Sequence, residues 1–289
     1  MTSKPSPDQL ADRARRLGLY GLLAHWQELG TQPWVATLIE CEEAERSRRS
    51  LERRIRTSKV GRFKTVADFD WSWPDKIDQP LIEELMQLGF IEEATNVILA
   101  GPNGVGKSTI AQNIAHQALL RGHTVLCTTA SAMLNDLAAR DTSTALARRL
   151  RRYANPAVLL VDEVGYLSYD SRAGDLLFEV VSRRHEQRPI MLTTNKPFAE
   201  WNEVFPNSSS VTAMVDRLLH RAEIVKIEGQ SYRAKEAKEH AAEKARKRAA
   251  RSKKAKMQRK NANGNSAAAH QNRDTPKRGK ATRKNAARE

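Results

Sequence analysis

Asn96-Val-Ile-Leu-Ala100, followed at once by Gly101-Pro-Asn-Gly-Val-Gly106-Lys107-Ser108, is the stretch on which the reading of this chain turns. A short apolar run bounded by a glycine-rich turn reads as a buried strand, and the apolar spacing from Lys107 onward reads as a helix. The turn between them fits the pattern G-x-x-x-x-G-K-[ST]. Glycines at 101, 104 and 106 let backbone N–H groups curl around phosphate oxygens, and the helix N-terminus adds partial positive charge. The expected cradle comprises Gly101, Pro102, Asn103, Gly104, Val105, Gly106, Lys107, Ser108 and Thr109. Lys107 is expected to reach the β- and γ-phosphates of ATP, and Ser108 to ligate Mg2+.

Downstream, short apolar runs alternate with helical patterns: strands at 123–129, 157–162, 189–194 and 223–227, with helices across 131–153, 173–186 and the stretch to about 220. Such alternation predicts an α/β fold with a central parallel sheet covered on both faces. The run at 158–161 delivers Asp162 and Glu163 to the end of a strand expected to neighbour the first. A P-loop enzyme needs one carboxylate in the magnesium shell and another to activate the attacking water, and these roles fall to Asp162 and Glu163 in turn. Thr193, Thr194 and Asn195 end the next strand, where a polar side chain can touch the γ-phosphate or the water. Asn195-Lys196 begins like a guanine-reading N-K-x-D loop, but the fourth position is Phe198, which disfavours GTP.

Charge on the γ-phosphate calls for a further cation. Arg217 in DRLLHR is the candidate arginine finger, with a helix-surface arginine paired to a nearby acid as its bland alternative; Arg221 is the second candidate, and Arg233, after the last strand, has lower weight at the nucleotide. Arg148, Arg149, Arg151 and Arg152 are candidate DNA contacts, as are Arg48, Arg49, Arg53, Arg54 and Arg56, although such runs are more often solvated faces.

Outside this core, residues 8–30 and 34–59 carry helical spacing, the first interrupted at Gly18 and Gly21, and the second has favourable Glu–Arg pairs at 42/46, 45/49 and 52/56. The expected organisation is a small all-α N-terminal domain at 1–60, a connector at 61–80 anchored by Trp71 and Trp73, an ATPase domain at 81–233 and a basic tail at 234–289, partly helical or disordered. The tail holds 19 of the 49 Lys and Arg and 5 of the 34 Asp and Glu, so it carries +14 of the net +15 and the folded part is close to neutral. Cys41 and Cys127 have no ligand-spaced companions and read as reduced and structural. No run approaches the roughly 18 apolar residues of a membrane helix, and MTSKPSPDQL lacks an apolar leader. A cytoplasmic protein without a membrane partner is expected.

GPNGVGKS, LLVDEVGYL, TTNKPFAEW and DRLLHRAEIVKIEGQSYR, together with the connector KTVADFDWSW, resemble the IstB-like ATPases that assist insertion-sequence transposition, AAA+ proteins related to helicase loaders of the DnaC type. The resemblance runs from about residue 10 to 236. It implies an AAA+ ATPase that binds DNA, forms ATP-dependent homo-oligomers and works with a cognate transposase. It also implies that Asn195 is the sensor residue and Arg217 a finger acting in trans. Ser108 stands where many relatives carry threonine, and the basic tail has no counterpart in the pattern. A DnaC-like helicase loader is the competing function, which duplex rather than single-stranded DNA binding would disfavour. A small-molecule phosphotransferase would need an acceptor pocket, for which the sequence offers no residues.

Overall fold

The computed structural model describes residues 5–140, 142–166, 169–206 and 209–248, in two compact units, Met1–Tyr232 and Arg233–Glu289. Within the second unit, residues 233–248 are helical, and the reading of a disordered tail falls on residues outside those described.

The first unit begins with α1 (Pro7–Arg16), α2 (Tyr20–Ala24), α3 (Trp26–Leu29) and α4 (Pro33–Ser58). Ser6 opens α1 with a capping box to Gln9, and Gly18 closes it in the left-handed region at φ 66°. The single interrupted helix expected at 8–30 is therefore three short ones. Leu10, Ala14, Leu17, Val35 and Ile39 form a small core of their own. On α4 the pairs Glu42–Arg46 (2.7 Å) and Glu45–Arg49 (2.6 Å) form as expected, while Glu52 pairs with Arg48 instead of Arg56. Cys41 is exposed on this helix, which corrects its reading as a structural residue; Cys127 is buried, and burial followed by the Asp162 carboxylate pushes its thiol up to about 12.

The remaining elements are α5 (Gln79–Leu85), α6 (Gly89–Glu92), β1 (Asn96–Ala100), α7 (Lys107–Leu120), β2 (Val125–Thr129), α8 (Ala130–Ala138), α9 (Ser143–Ala154), β3 (Val158–Val164), α10 (Ser171–Arg184), β4 (Ile190–Thr194), α11 (Trp201–Val204), α12 (Val211–Leu219) and β5 (Ala222–Lys226). The strands pair in parallel in the order β2-β3-β4-β1-β5. Successive strand residues face opposite sides, as the pleat requires. Ile98, Leu159, Val161, Ile190 and Leu192 join the core beneath α8, α9, α10, α11 and α12. Val97, Leu99, Val158, Leu160, Met191 and Val225 join the core beneath α7 and the connector, where Trp71 and Phe69 pack. Both faces are thus covered, which is why the strands read as continuous apolar runs.

Two sequence expectations need correction. β3 does not neighbour β1, because β4 lies between them, and β3 does not end at Asp162 but continues to Val164. Polar ties lock this order: buried Asn96, at the start of β1, donates from Nδ2 to Leu218 O (3.0 Å) and accepts from Ile190 N (2.8 Å). Arg184 is 1% exposed and donates to the carbonyls of Tyr153, Ala154, Pro156, Ala157 and Pro189. Among the described residues no helix is long and apolar enough to cross a membrane.

Candidate active site

β1 buries Val97, Ile98 and Leu99 completely and hands the chain to the loop at Gly101. Gly104 (φ 81°) and Gly106 (φ 103°) occupy conformations that suit glycine. The space beside them is also filled: a Cβ on Gly104 would lie 2.2 Å from Ser231 Oγ, and one on Gly106 would lie 2.5 Å from the Phe69 ring. Tyr232 N–H donates to Gly104 O at 2.9 Å. The connector and the chain leaving β5 therefore hold the loop from two sides, and Trp73 Nε1 joins them to each other by donating to Gln230 O at 2.9 Å.

Lys107 opens α7, is 3% exposed, and donates from Nζ to Gly101 O (2.7 Å) and Pro102 O (2.8 Å). Its ammonium also lies 5.9 Å from the centre of the Tyr166 ring. Among the described residues no side chain caps the N-terminus of α7, so the partial positive charge there faces the loop.

Because β4 lies beside β3, a β4 residue joins Ser108 at the acids. Ser108 Oγ donates to Asp162 Oδ1 at 2.9 Å. The Thr193 hydroxyl, 1% exposed, donates to the same carboxylate oxygen and accepts the Glu163 backbone N–H at 3.0 Å. The β3–β4 register slips between Val161 and Val164, and Glu163 takes a left-handed φ of 63°. A bulge of this kind breaks the alternation that would otherwise send consecutive side chains to opposite faces. The Glu163 carboxylate forms no ion pair among the described residues, and it adds to burial in pushing the Tyr169 phenol up. Asn195 Oδ1 is buried without a hydrogen-bond partner among the described residues, close to Gly165. Lys196 bonds Glu200 (2.8 Å) and Glu203 (3.1 Å).

The residues present suit a magnesium–nucleotide complex. A hydroxyl and a carboxylate meet beside an anion-friendly helix terminus, and Asn195 keeps one buried acceptor unmatched. Neither Thr193's place between the acids nor the approach of Phe69 and Ser231 to the glycines was readable in the sequence. Their only signals were a polar strand end and an aromatic connector.

The arginines lie elsewhere. Arg217 donates to Ser182 Oγ and sits 4.6 Å over the Phe178 ring, so its partners are a hydroxyl and a ring of α10 rather than the acid of the bland reading. Arg221 is exposed, and its carbonyl accepts Asn96 N–H at 2.8 Å at the start of β1. The nucleotide loop leaves the other end of that strand, about 15 Å away for five residues. Arg233 belongs to the second unit and is exposed. Of the arginines on α9, Arg149 is bound to Asp136 at 2.7 Å, and Arg148, Arg151 and Arg152 are exposed. On α4, Arg54 is tied to Leu119 O at 3.2 Å, whereas Arg53 and Arg56 are exposed.

The family model described as IstB-like ATP binding protein matches residues 9–262. The ATP-binding protein of insertion sequence IS5376 from Geobacillus stearothermophilus is 40% identical over 69% of this chain and 79% of its own length. That of IS21 from Pseudomonas aeruginosa is 35% identical over 73% and 79%. Among solved structures, DnaI is similar at 18% identity with a TM-score of 0.48, over 60% of this chain and 92% of that one, and the DnaC helicase loader at 16% and 0.43, over 61% and 99%. With the parallel five-stranded sheet, the loop between β1 and α7 and the acids on β3 in view, the chain belongs to the IstB-like ATP-binding protein family and is a P-loop ATPase of the AAA+ class.

Proposed function

We propose that this ATPase is a switch in insertion-sequence transposition: it assembles on duplex DNA in its ATP state and assists a cognate transposase until hydrolysis releases the assembly. The observation that carries the chemistry is the Ser108–Asp162–Thr193–Glu163 cluster beside the loop. Family membership and the insertion-sequence context of the relatives support the biological setting.

In this reading Gly101, whose N–H is held by Thr194 O, and Pro102 shape the loop, and the backbone N–H groups of 103–109 with the Lys107 ammonium bind the phosphates. Ser108 and Asp162 would hold Mg2+, whose charge offsets that of the phosphates when bound. Glu163 takes the proton of the attacking water, and the unmatched Asn195 amide oxygen accepts a hydrogen bond from that water and orients it. The finger, Arg217 or failing it Arg221, acts on the nucleotide of a neighbouring subunit, because both lie toward the strand end opposite the loop. Residues 1–60 are proposed as the partner-binding domain, 61–80 as the connector, 81–233 as the ATPase domain and 234–289 as a DNA-attracting tail. Arg148, Arg151 and Arg152 are the proposed DNA contacts on the body, Arg149 being engaged by Asp136.

The test is ATP hydrolysis by the full chain with duplex, single-stranded and no DNA, coupled to pull-down of a cognate transposase. Duplex-stimulated turnover and ATP-dependent capture of that transposase are expected. Preference for single strands with capture of a replicative helicase would favour the loader reading instead. Turnover driven by a small hydroxyl acceptor would overturn both.

A further inference from the structure

Away from the nucleotide loop, α10 and α12 pack side by side in parallel. Three contacts share one offset of 35 residues: Ser210 Oγ donates to Asp175 at 2.7 Å, Arg217 donates to Ser182, and the rings of His185 and His220 lie with centroids 5.4 Å apart. The two helices therefore end together, and their C-caps are His185 and His220 themselves. Glu186 follows His185 with φ 58°, a left-handed turn that brings a second consecutive side chain toward the same neighbour. Its Oε1 lies 3.6 Å from His220 Nδ1, and one ligand atom from each of His185, Glu186 and His220 falls within 4.8 Å of the others.

We propose that His185, Glu186 and His220 form a binding site for one divalent transition-metal ion of the Zn2+ class, which staples the C-terminal ends of α10 and α12. Two imidazoles and a carboxylate are a donor set that suits zinc, with a fourth position left to water. Hard-cation sites for Mg2+ or Ca2+ are built from oxygens instead. The electrostatics agree. Each helix C-terminus carries about half a negative charge, so two ending together favour a cation between them. Four neighbouring cations are engaged elsewhere: Arg183 bonds Glu179, Arg184 is buried among carbonyls, Arg188 donates to Ala154 O and Asn155 O, and Arg217 donates to Ser182, while Arg221, next to His220, is exposed. The ligand atoms are spread more widely than in a closed tetrahedron. Closing them calls for side-chain rotation at Glu186 and His220, which are half-exposed (53% and 52%). The ion would act on Arg221, the residue after His220, by fixing the chain between α12 and β5.

This site is separate from the magnesium–nucleotide site and does not depend on the transposition reading. Its test is titration of the untagged full chain with Zn2+ in competition with a chromophoric chelator, and with Co2+ followed by its visible spectrum. The expected result is one equivalent bound with low-micromolar or tighter affinity, a Co2+ spectrum of low-coordinate nitrogen–oxygen type, and a rise in melting temperature on adding Zn2+. His185→Ala and His220→Ala should each weaken binding by at least about tenfold, or about 1.4 kcal/mol, and remove the thermal shift. Should His185→Ala fail to fold, His220→Asn, at a half-exposed position, carries the same test. Wild-type affinity retained by the double variant would place the binding on other histidines and overturn the site. So would the lack of any Zn2+ binding by the wild type below about 100 μM, a binding energy of roughly 5.5 kcal/mol.

Discussion

Thr193 accepts the Glu163 backbone N–H at 3.0 Å, and the same hydroxyl donates to Asp162. One β4 side chain thus sets the backbone of the proposed base and the carboxylate of the proposed magnesium ligand, acting as a positioning residue. Thr193→Val keeps the shape but leaves the Glu163 amide unmatched, a cost of about 1–3 kcal/mol, and should lower kcat by at least about tenfold with a smaller change in ATP affinity. Thr193→Ser should restore most of the turnover. A valine variant with normal kcat would show that the β3 bulge holds itself.

Glu163→Gln should bind ATP and hydrolyse it very slowly, and Arg217→Ala should do the same, since a finger is worth about 10³ to 10⁵ in rate. Because the arginine sits toward the strand end opposite the loop, the two inactive variants should complement each other. Mixing them creates interfaces where an intact Glu163 meets an intact Arg217, so activity should partly return in a manner that depends on protein concentration. If mixed oligomers form and stay inactive, the same experiment with Arg221→Ala decides between the two arginines.

Asp136 gathers three partners, accepting from Tyr153 OH at 2.6 Å, Arg149 at 2.7 Å and Arg140 at 3.2 Å. Burial by itself would raise its pKa, but the Tyr153 hydrogen bond and the Arg149, Arg140 and Arg152 charges outweigh it and hold the carboxyl below the usual range. A folded-state pKa below the unfolded value contributes stability above about pH 4 that is lost as pH falls through the folded value. Asp136→Asn should therefore lose about 1–3 kcal/mol at pH 7, read from urea midpoints, and the gap to wild type should narrow toward pH 3. A gap independent of pH would assign the loss to packing.

The tail's 19 cations between 234 and 289 should add DNA affinity by counterion release. If about 8 of them meet phosphates, they contribute a log–log salt slope near −7. Deleting residues 240–289 should flatten the slope and leave basal ATP hydrolysis intact. An unchanged slope would move the DNA surface to the body, with Arg148, Arg151 and Arg152 the first to replace.

What the sequence by itself determined is whatever lies within one contiguous window. The apolar run at 96–100, the spacing of glycines through Ser108 and the acids after 158–161 are each set by neighbours in the chain, so strand, loop and helix were legible with errors of a few residues at their ends. Helix alternation also sufficed for the parallel sheet. The strand order was not legible, because it depends on which crossover packs where. With β4 inserted between β1 and β3, Thr193 rather than a β1 neighbour meets Asp162, over 31 residues of chain. The bulge at Glu163, the retreat of Arg217 onto Phe178 and the meeting of His185 with His220 have the same origin. Each joins residues 30 or more apart whose proximity comes from the packing of whole elements, and no local pattern encodes that.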